Sequence, residues 1–435
     1  MKKYINACLF MAIVLVAVVT GCKKDDQEFT HDASSPIIID QLLPQKGSGG
    51  TEILINGSNF TTDTSKVEVT LNGKPLKVIG VNGKQMMVVV PKKAGSGAIT
   101  VTIDGKSATS KTAFTYEFTR TVTTLAGSGV VGFANGQGTD ASFNFTGEPW
   151  YRCSGIVVDD NLNVYVADVG NRCIRKIDKD GNVTTFAGSP GNAGYQDGKG
   201  TAAKFSLIYG LAIDNLGNVY SADPGNWDIR KITPDGTATT LGFASQDPWN
   251  VTFDKKTGNL FYSSSGGVAN IYQMTPAGVS KQVVSGVNQP SALAVDSEGD
   301  LFVTVFGDHV IKKYLASTWA GSVVAGSGAV GYLDGPATAA KFASPWGMCI
   351  DADNNLLIAG NGANGSTSNP DQSIRLVNGK TYEVSTFAGS GIAGNVNGVG
   401  KAAAFSAPAG VAVDKNGTVY VLDRNNNSIR KIVSE

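Results

Sequence analysis

Short apolar runs alternate with Asp, Asn and Gly turns along the chain, and from residue 120 onward this pattern repeats. Six units follow one another, such as "GIVVDDNLNVYVADVGNRCIRKI" from Gly155 and "GVAVDKNGTVYVLDRNNNSIRKI" from Gly410. Each unit reads as strand, turn, strand, loop and strand, and a fourth strand follows most of them. Four short strands in each repeat of roughly 40–60 residues predict a β-propeller with six blades over residues 120–435.

Residues 34–118 carry another alternation of apolar and polar positions, broken by Asn-Gly and Asp-Gly pairs. Segments such as "TEILINGSNF" and "AITVTIDGK" are typical of antiparallel strands joined by tight turns. The predicted fold class is therefore all-β, with a small Ig-like β-sandwich followed by a six-bladed β-propeller.

The sixth unit lacks an outer strand, because only "VSE" follows its "SIRKI". The segment "TVTTLAG" at residues 121–127 matches the outer strands of the other units and precedes the first blade. We predict that it completes the last blade beside the strand from Ile429 to Ile432, which removes an open sheet edge.

Two resemblances to known families support this division. Pro44, "GGTEILINGSNF", "VVVP" and the closing "FTY" resemble an IPT/TIG immunoglobulin-like domain, which implies a spacer or interaction module. The repeated wording "GIVVD…LNVYVAD…NRCIRKI" resembles the NHL repeat, which implies the propeller fold. Propellers host many unrelated activities, so this resemblance does not indicate the function.

The N-terminal residues predict where in the cell the protein is located. Lys2 and Lys3 precede an apolar stretch from Ile5 to Val19, which is typical of a secretory signal and short for a transmembrane helix. The following "VVTGC" resembles the lipobox of bacterial lipoproteins, which implies a signal peptide at residues 1–21, a lipid on Cys22 and a linker at residues 22–33. The charged "KKDDQE" resembles signals that send lipoproteins to the outer face of the outer membrane. The alternative is an ordinary cleaved signal with an unrelated cysteine.

The charge balance argues against one class of protein, and the cysteine content limits the number of disulfides. Acidic and basic residues balance at 36 each, which argues against general nucleic-acid binding because that requires a positive field. After removal of the signal and lipidation of Cys22, Cys153, Cys173 and Cys349 remain, enough for at most one disulfide. Cys349 stands in an apolar run and is predicted to be an inert core residue.

Recurring polar residues are first interpreted structurally. Aspartates at the first turn of each unit are expected to hydrogen-bond their own backbone and shape the turn. The aspartates after the second strand are expected to have the same structural role. The recurring arginines are expected in blade packing or on a solvated face. The phenylalanines that end four glycine-rich loops are expected to anchor those loops in the core. The aspartates are Asp159, Asp214, Asp254, Asp296, Asp351 and Asp414, then Asp168, Asp223 and Asp423; the arginines are Arg175, Arg230 and Arg430; the phenylalanines are Phe143, Phe205, Phe342 and Phe405.

Aromatic side chains are predicted to gather at one end of the central channel. Five residues before each turn aspartate stand Ser154, Tyr209, Trp249, Ser291, Trp346 and Ala409, which should surround one mouth, and the three aromatic residues should be partly exposed there. The loops that lead into blades three and four are short, so the rim of loops around this channel mouth should be lower beside those blades. Such rings stack on sugars or cover wide apolar area, although packing of the channel mouth is the alternative. The candidate ligand-binding residues are Trp150, Tyr151, Tyr209, Trp227, Trp249, His309 and Trp346.

Three functions stay open at this stage. The first is a surface lipoprotein, similar to lipid-anchored glycan-uptake proteins, that binds a glycan or a protein partner without catalysis. The second is a hydrolase or lyase, as in lactonase-like propellers; His31 and His309 are the only histidines, which excludes a three-histidine zinc site but not a calcium site of oxygen ligands. The third is a scaffold without a small-molecule site. No catalytic residue, metal site or cofactor is predicted.

Overall fold

The computed structural model describes residues 31–146, 153–264, 268–360 and 368–435. The predicted signal peptide, Cys22 and most of the linker lie outside these residues. The described chain is all-β and forms two compact units that divide between Glu117 and Phe118. None of its helices is long and apolar enough to cross a membrane. The helices described are one-turn 3₁₀ helices: Thr64–Lys66, Gly138–Asp140, Val169–Asn171, Gly200–Ala202, Ala337–Ala339, Gly400–Ala402 and Arg424–Asn426.

The first unit is an Ig-like sandwich. Its strands are β1 (Ile38–Leu43), β2 (Lys46–Gly47), β3 (Glu52–Ser58), β4 (Val67–Leu71), β5 (Lys74–Pro75), β6 (Lys77–Val81), β7 (Gln85–Val89), β8 (Ile99–Ile103), β9 (Lys106–Thr109) and β10 (Thr115–Tyr116). Two four-stranded antiparallel sheets, β1-β3-β7-β6 and β5-β4-β8-β9, enclose one apolar core, and β2 pairs in parallel with β10.

The second unit is a six-bladed propeller, as predicted. Its strands are β11 (Arg120–Ala126), β12 (Gly136–Gln137), β13 (Ile156–Val158), β14 (Val164–Asp168), β15 (Cys173–Ile177), β16 (Asn182–Ala187), β17 (Gly198–Lys199), β18 (Leu211–Ile213), β19 (Val219–Asp223), β20 (Asp228–Ile232), β21 (Thr237–Phe243), β22 (Pro248–Phe253), β23 (Leu260–Ser264), β24 (Val268–Met274), β25 (Ser280–Asn288), β26 (Pro290–Val295), β27 (Leu301–Val305), β28 (Val310–Tyr314), β29 (Gly321–Ala325), β30 (Pro345–Ile350), β31 (Leu356–Gly360), β32 (Gln372–Val377), β33 (Val384–Gly391), β34 (Gly398–Val399), β35 (Pro408–Val413), β36 (Val419–Asp423) and β37 (Ser428–Ser434).

Blades one to six begin at β13, β18, β22, β26, β30 and β35, and each runs outward through four antiparallel strands. The second strand of every blade is buried at all its positions, because neighbouring blades cover both faces of the sheet. In blades one, two and six, the two-residue strands β12, β17 and β34 add a fifth, outermost strand. The outer sheet edges of these blades are thereby covered.

The ring closes as predicted from the sequence. β11 pairs antiparallel with β37, from Arg120 opposite Ser434 to Ala126 opposite Ile429. Two backbone hydrogen bonds between Thr119 and Glu435, each 2.9 Å, extend this pairing. The sixth blade therefore combines the first and last strands of the propeller.

Four arginines fasten the long glycine-rich connections to the blades. Arg375 donates to Asp371 (2.9 Å) and Asp334 (2.8 Å), and its guanidinium lies 4.9 Å from the ring centre of Tyr332 and 5.2 Å from that of Phe342. Arg175, Arg230 and Arg430 occupy the same position, and all four side chains are fully buried. The solvated-face alternative is therefore wrong. The loop phenylalanines are also buried, as predicted, and they form one side of each arginine site.

Candidate functional site

Glycines bring the innermost strands close together around the propeller axis. A Cβ atom on Gly155 would lie 2.8 Å from the Tyr209 oxygen, and one on Gly410 would lie 2.3 Å from the Ser154 oxygen. Gly210 and Gly347 meet the next blade in the same way. Since real Cβ atoms do not approach backbone so closely, these four blades require glycine here. The result is a narrow centre, which limits what the channel can hold.

The residues predicted to surround one channel mouth do lie together. Ser154, Tyr209, Trp249, Ser291 and Trp346, with Asn250, line a single cavity. Its volume is about 10 Å³, which is room for about one water molecule. Ala409 is buried in the core cluster that also contains Tyr209 and Trp346. The channel mouth is therefore filled by side chains and has no room for a sugar ring.

The prediction that these aromatic side chains are exposed is wrong for two of them. Tyr209 is 3% exposed and Trp346 is 4% exposed, whereas Trp249 is half-buried. The ring centre of Trp346 lies 6.1 Å from that of Trp249 and 4.8 Å from that of Phe306. Because the six first strands converge closely, large rings at their entrances pack against one another. A ligand-binding role for the three residues stays a prediction.

Polar side chains of the first and second strands join the blades around the same centre. Asn250 Nδ2 donates to Ser154 Oγ at 2.8 Å, which connects blade three to blade one. Thr304 Oγ1 donates to the Trp346 carbonyl oxygen at 2.8 Å. Ser263 Oγ donates to the carbonyl oxygen of Ser291 at 2.9 Å. These bonds satisfy buried groups and stabilise the closed centre.

In four blades, the side chain at or just before the start of the third strand links the blade to the next. His309 has a φ of 56°, and its Nδ1 accepts a hydrogen bond from the Ser344 amide at 3.2 Å. Burial lowers the pKa of His309, which favours the neutral ring that this bond needs. Asn427, Gln372 and Arg172 also bond to the entrance of the following blade. His309, which the sequence predicts to bind a ligand, therefore makes a hydrogen bond that links blade four to blade five.

Trp227 occupies this linking position in blade two and differs from its counterparts. Its φ is 58°, in the left-handed region, and its carbonyl oxygen accepts a bond from the Ala244 amide at 2.8 Å. The side chain itself is 53% exposed. The connection that follows blade two is short, with β22 beginning five residues after β21 ends, so the rim is low beside this indole. Trp150 and Tyr151, the other aromatic residues among the ligand-binding candidates, lie outside the described residues.

Sequence reasoning missed a group of residues beside Trp227. Tyr195 and Phe243 are exposed, and their ring centres lie 6.0 Å apart. Asp228, opposite Phe243 in the sheet, is fully buried. Burial, reinforced by the nearby charge of Asp223, raises the pKa of Asp228 to about 7. A signal was available, because no other blade has an acid at this repeat position: the counterparts are Cys173, Asn270, Val310, Ser373 and Ser428.

The cysteines of the described residues are unpaired by disulfides. Cys153, Cys173 and Cys349 are free thiols, so Cys153 and Cys173 do not form a disulfide. Burial raises the pKa of Cys153 to about 12, and its Sγ donates to the Ala167 carbonyl oxygen at 3.0 Å. Among the described residues, no three His, Cys, Asp or Glu side chains lie close enough to hold a metal ion.

Comparison with protein families identifies both units. The IPT/TIG domain family matches residues 36–116, and the NHL repeat matches residues 151–177 and 405–432, which belong to the first and last blades. The chain is an IPT/TIG domain followed by an NHL-repeat β-propeller. "NHL repeat-containing protein 2" of Bos taurus is 26% identical over 338 residues, covering 63% of this chain and 45% of that protein. The chain thus spans less than half the length of this curated relative.

Solved structures resemble this chain over most of its length. A Bacteroides thetaiotaomicron protein of unknown function is 22% identical, covers 93% of this chain and 100% of its own, and has a TM-score of 0.65. An auxiliary nutrient binding protein of Bacteroides ovatus is 22% identical, covers 92% of this chain and 98% of its own, and has a TM-score of 0.58. At this identity the likeness shows the fold.

Proposed function

We propose that this chain is a non-catalytic binding protein of the bacterial cell surface. A lipid on Cys22 holds it on the outer membrane, and the propeller face that carries Trp227 and Trp249 captures a glycan or a similar extracellular nutrient. The proposal is supported by the structural similarity to a protein described as an auxiliary nutrient binding protein, which extends over most of both chains.

The observation that carries the proposal is the exposure of Trp227. Counterparts in four other blades use this side chain to bond the next blade, whereas the indole of Trp227 lies half in solvent. Trp227 also adopts a left-handed backbone conformation, which is uncommon for a bulky residue. An exposed indole offers a broad apolar surface with few rotatable bonds, as binding surfaces for sugars and proteins require. Blade two thus lacks the side-chain link of these four blades and has an exposed indole in its place.

A glycan array followed by calorimetry on the full chain tests the proposal. Trp227→Ala should weaken binding of the glycan that the array identifies roughly fivefold to thirtyfold, because an aromatic anchor contributes about 1–2 kcal/mol. Leu216→Ala is the control, since Leu216 is an exposed apolar residue in the first turn of the same blade, at the other end of its strands.

Two results would reject the proposal. Absence of binding to every glycan on the array would favour the scaffold alternative. Equal affinity of Trp227→Ala and the unchanged protein would remove this face as the binding site.

A further inference from the structure

Blade two carries an exposed aromatic pair over a buried acid. Tyr195 is 52% exposed and Phe243 is 62% exposed, and their rings lie 6.0 Å apart at an angle of 38°. Phe243 lies directly opposite Asp228 in the antiparallel pairing of β20 with β21, so the two side chains are on the same face of the sheet. We call Tyr195 and Phe243 the aromatic platform.

Asp228 has no hydrogen-bond donor within the described residues. Both carboxylate oxygens are buried without a partner there, and Asp228 itself is fully buried. The nearest cation is Arg230, whose Nε lies 3.8 Å from Oδ2, beyond hydrogen-bond distance. A buried carboxylate without donors is costly, because the charge loses its hydration and gains nothing in return.

Arg230 is already used by other groups. Its guanidinium donates to Asp197 at 2.7 Å and to the carbonyl oxygens of Lys204 and Gln196, each at 3.0 Å. Asp223, on the neighbouring strand, accepts from the amides of Ser206 and Leu207. Three acids therefore surround one arginine in blade two.

The corresponding sites in blades one and six have balanced charge. Arg175 pairs with Asp168 at 2.9 Å, and Arg430 pairs with Asp423 at 2.8 Å. The loop residues equivalent to Asp197 are Asn135 and Asn397, and the residues equivalent to Asp228 are Cys173 and Ser428. Blade two thus has acids at two positions where these blades have neutral residues.

We propose that the aromatic platform binds an organic ammonium group, with Asp228 as the buried counter-charge beneath it. Ring faces attract cations through their quadrupole, and a cation held there also offsets the unpaired carboxylate. A neutral sugar would stack on the rings but would leave the carboxylate uncompensated. The inference rests on the proposed binding function and specifies the charge of the ligand, as in an amino sugar or another alkylammonium compound.

The ammonium group acts on Asp228 through the aromatic layer, because the carboxylate is not open to solvent. The charged groups that face Asp228 are Asp223 on the adjacent strand, Arg230 on its own strand and Asp197 on the covering loop. Raising the pH ionises Asp228, so binding of a permanent cation should strengthen and should release a proton.

The test compares choline with 3,3-dimethylbutan-1-ol, which has the same shape without the charge, by NMR titration of the full chain at about pH 6 and about pH 8. Choline should bind at least about tenfold more tightly than the alcohol at the higher pH, and this preference should shrink at the lower pH. Asp228→Ser, which copies blades five and six, should abolish the preference and leave alcohol binding unchanged. Phe243→Ala should weaken both ligands, and Asp235→Asn, an exposed acid of the same blade, should change neither.

Equal affinity for choline and the alcohol would overturn the proposal, as would a preference that survives in Asp228→Ser or an absence of binding by either compound. The binding function proposed above is tested separately, because the glycan experiment measures the effect of Trp227 and not that of Asp228 or the aromatic platform. Loss of the choline preference with glycan binding retained would remove only this inference.

Discussion

Single side chains in this propeller show how far a position can depart from its repeat. The first-turn aspartates behave as the sequence predicts: Asp159 Oδ1 accepts from the amides of Asn161 (2.9 Å) and Asn163 (2.8 Å). Asp228 departs from its repeat, because a buried acid stands where other blades have thiol, amide, alkyl or hydroxyl groups. A buried acid of this kind lowers stability, and its position is therefore a candidate for a role in function.

Asp228→Ser should stabilise the propeller, and increasingly so as the pH rises. Burial raises the folded-state pKa of Asp228 to about 7 from its ordinary value of 3.8, so the folded state binds the proton more tightly than the unfolded state. The unchanged protein should therefore lose stability between about pH 4 and pH 7, and the loss attributable to this residue should be about 2–4 kcal/mol. Thermal unfolding of both proteins across this range measures the difference. Parallel pH profiles would contradict the prediction.

Trp346→Ala should destabilise the propeller by about 3–5 kcal/mol, because Trp346 is a buried ring packed against Phe306 and Trp249. Trp227→Ala is the matched comparison, and its cost should be within about 1 kcal/mol because the indole is half exposed. Calorimetric unfolding of the two variants checks both values. Similar losses in the two variants would mean that burial does not distinguish these tryptophans.

At the scale of elements, the repeat predicts the blades well because strand order and turns depend on local residues. The phenylalanines of the long loops and the first-turn aspartates also follow from the repeated pattern. Exposure at the axis does not, because it depends on how closely six strands from distant parts of the sequence converge. Arg375 was missed because its strand reads "QSIRLV" and its acid partner is Asp371, four residues before it, whereas Gly360 stands at the usual position.

Removal of residues 121–126 should lower the melting temperature of the propeller sharply. The deletion takes away β11, leaves β37 with an open edge and exposes the core cluster that contains Val122. Thr123→Ala is the control, since Thr123 is exposed on the same strand and its change should have little effect. Circular dichroism during heating provides the measurement. A deletion variant that melts at the original temperature would contradict closure through β11.

At the scale of the whole molecule, Cys22→Ser should release the protein from the membrane. The resemblance of "VVTGC" to a lipobox implies lipid attachment to this thiol, and serine cannot form the same thioether. Metabolic labelling with a fatty-acid analogue, followed by membrane fractionation, should find the variant unlabelled and in the soluble fraction. Cys349→Ser is the control, because Cys349 lies within blade five and should not affect labelling. Recovery of labelled Cys22→Ser protein would refute the assignment.

The shared sixth blade also sets an order of events in time. β11 pairs with β34 and β37, which follow it by roughly 270 and 300 residues, so the first strand of the propeller has no partner until the last part of the propeller has been made. At about 5–20 residues per second, β11 waits on the order of 15–60 s during synthesis. Blades one to five pair from neighbouring strands and need no such delay. The nascent propeller is therefore an open arc for almost all of its synthesis, and it becomes a ring only as a late event that depends on the final strand.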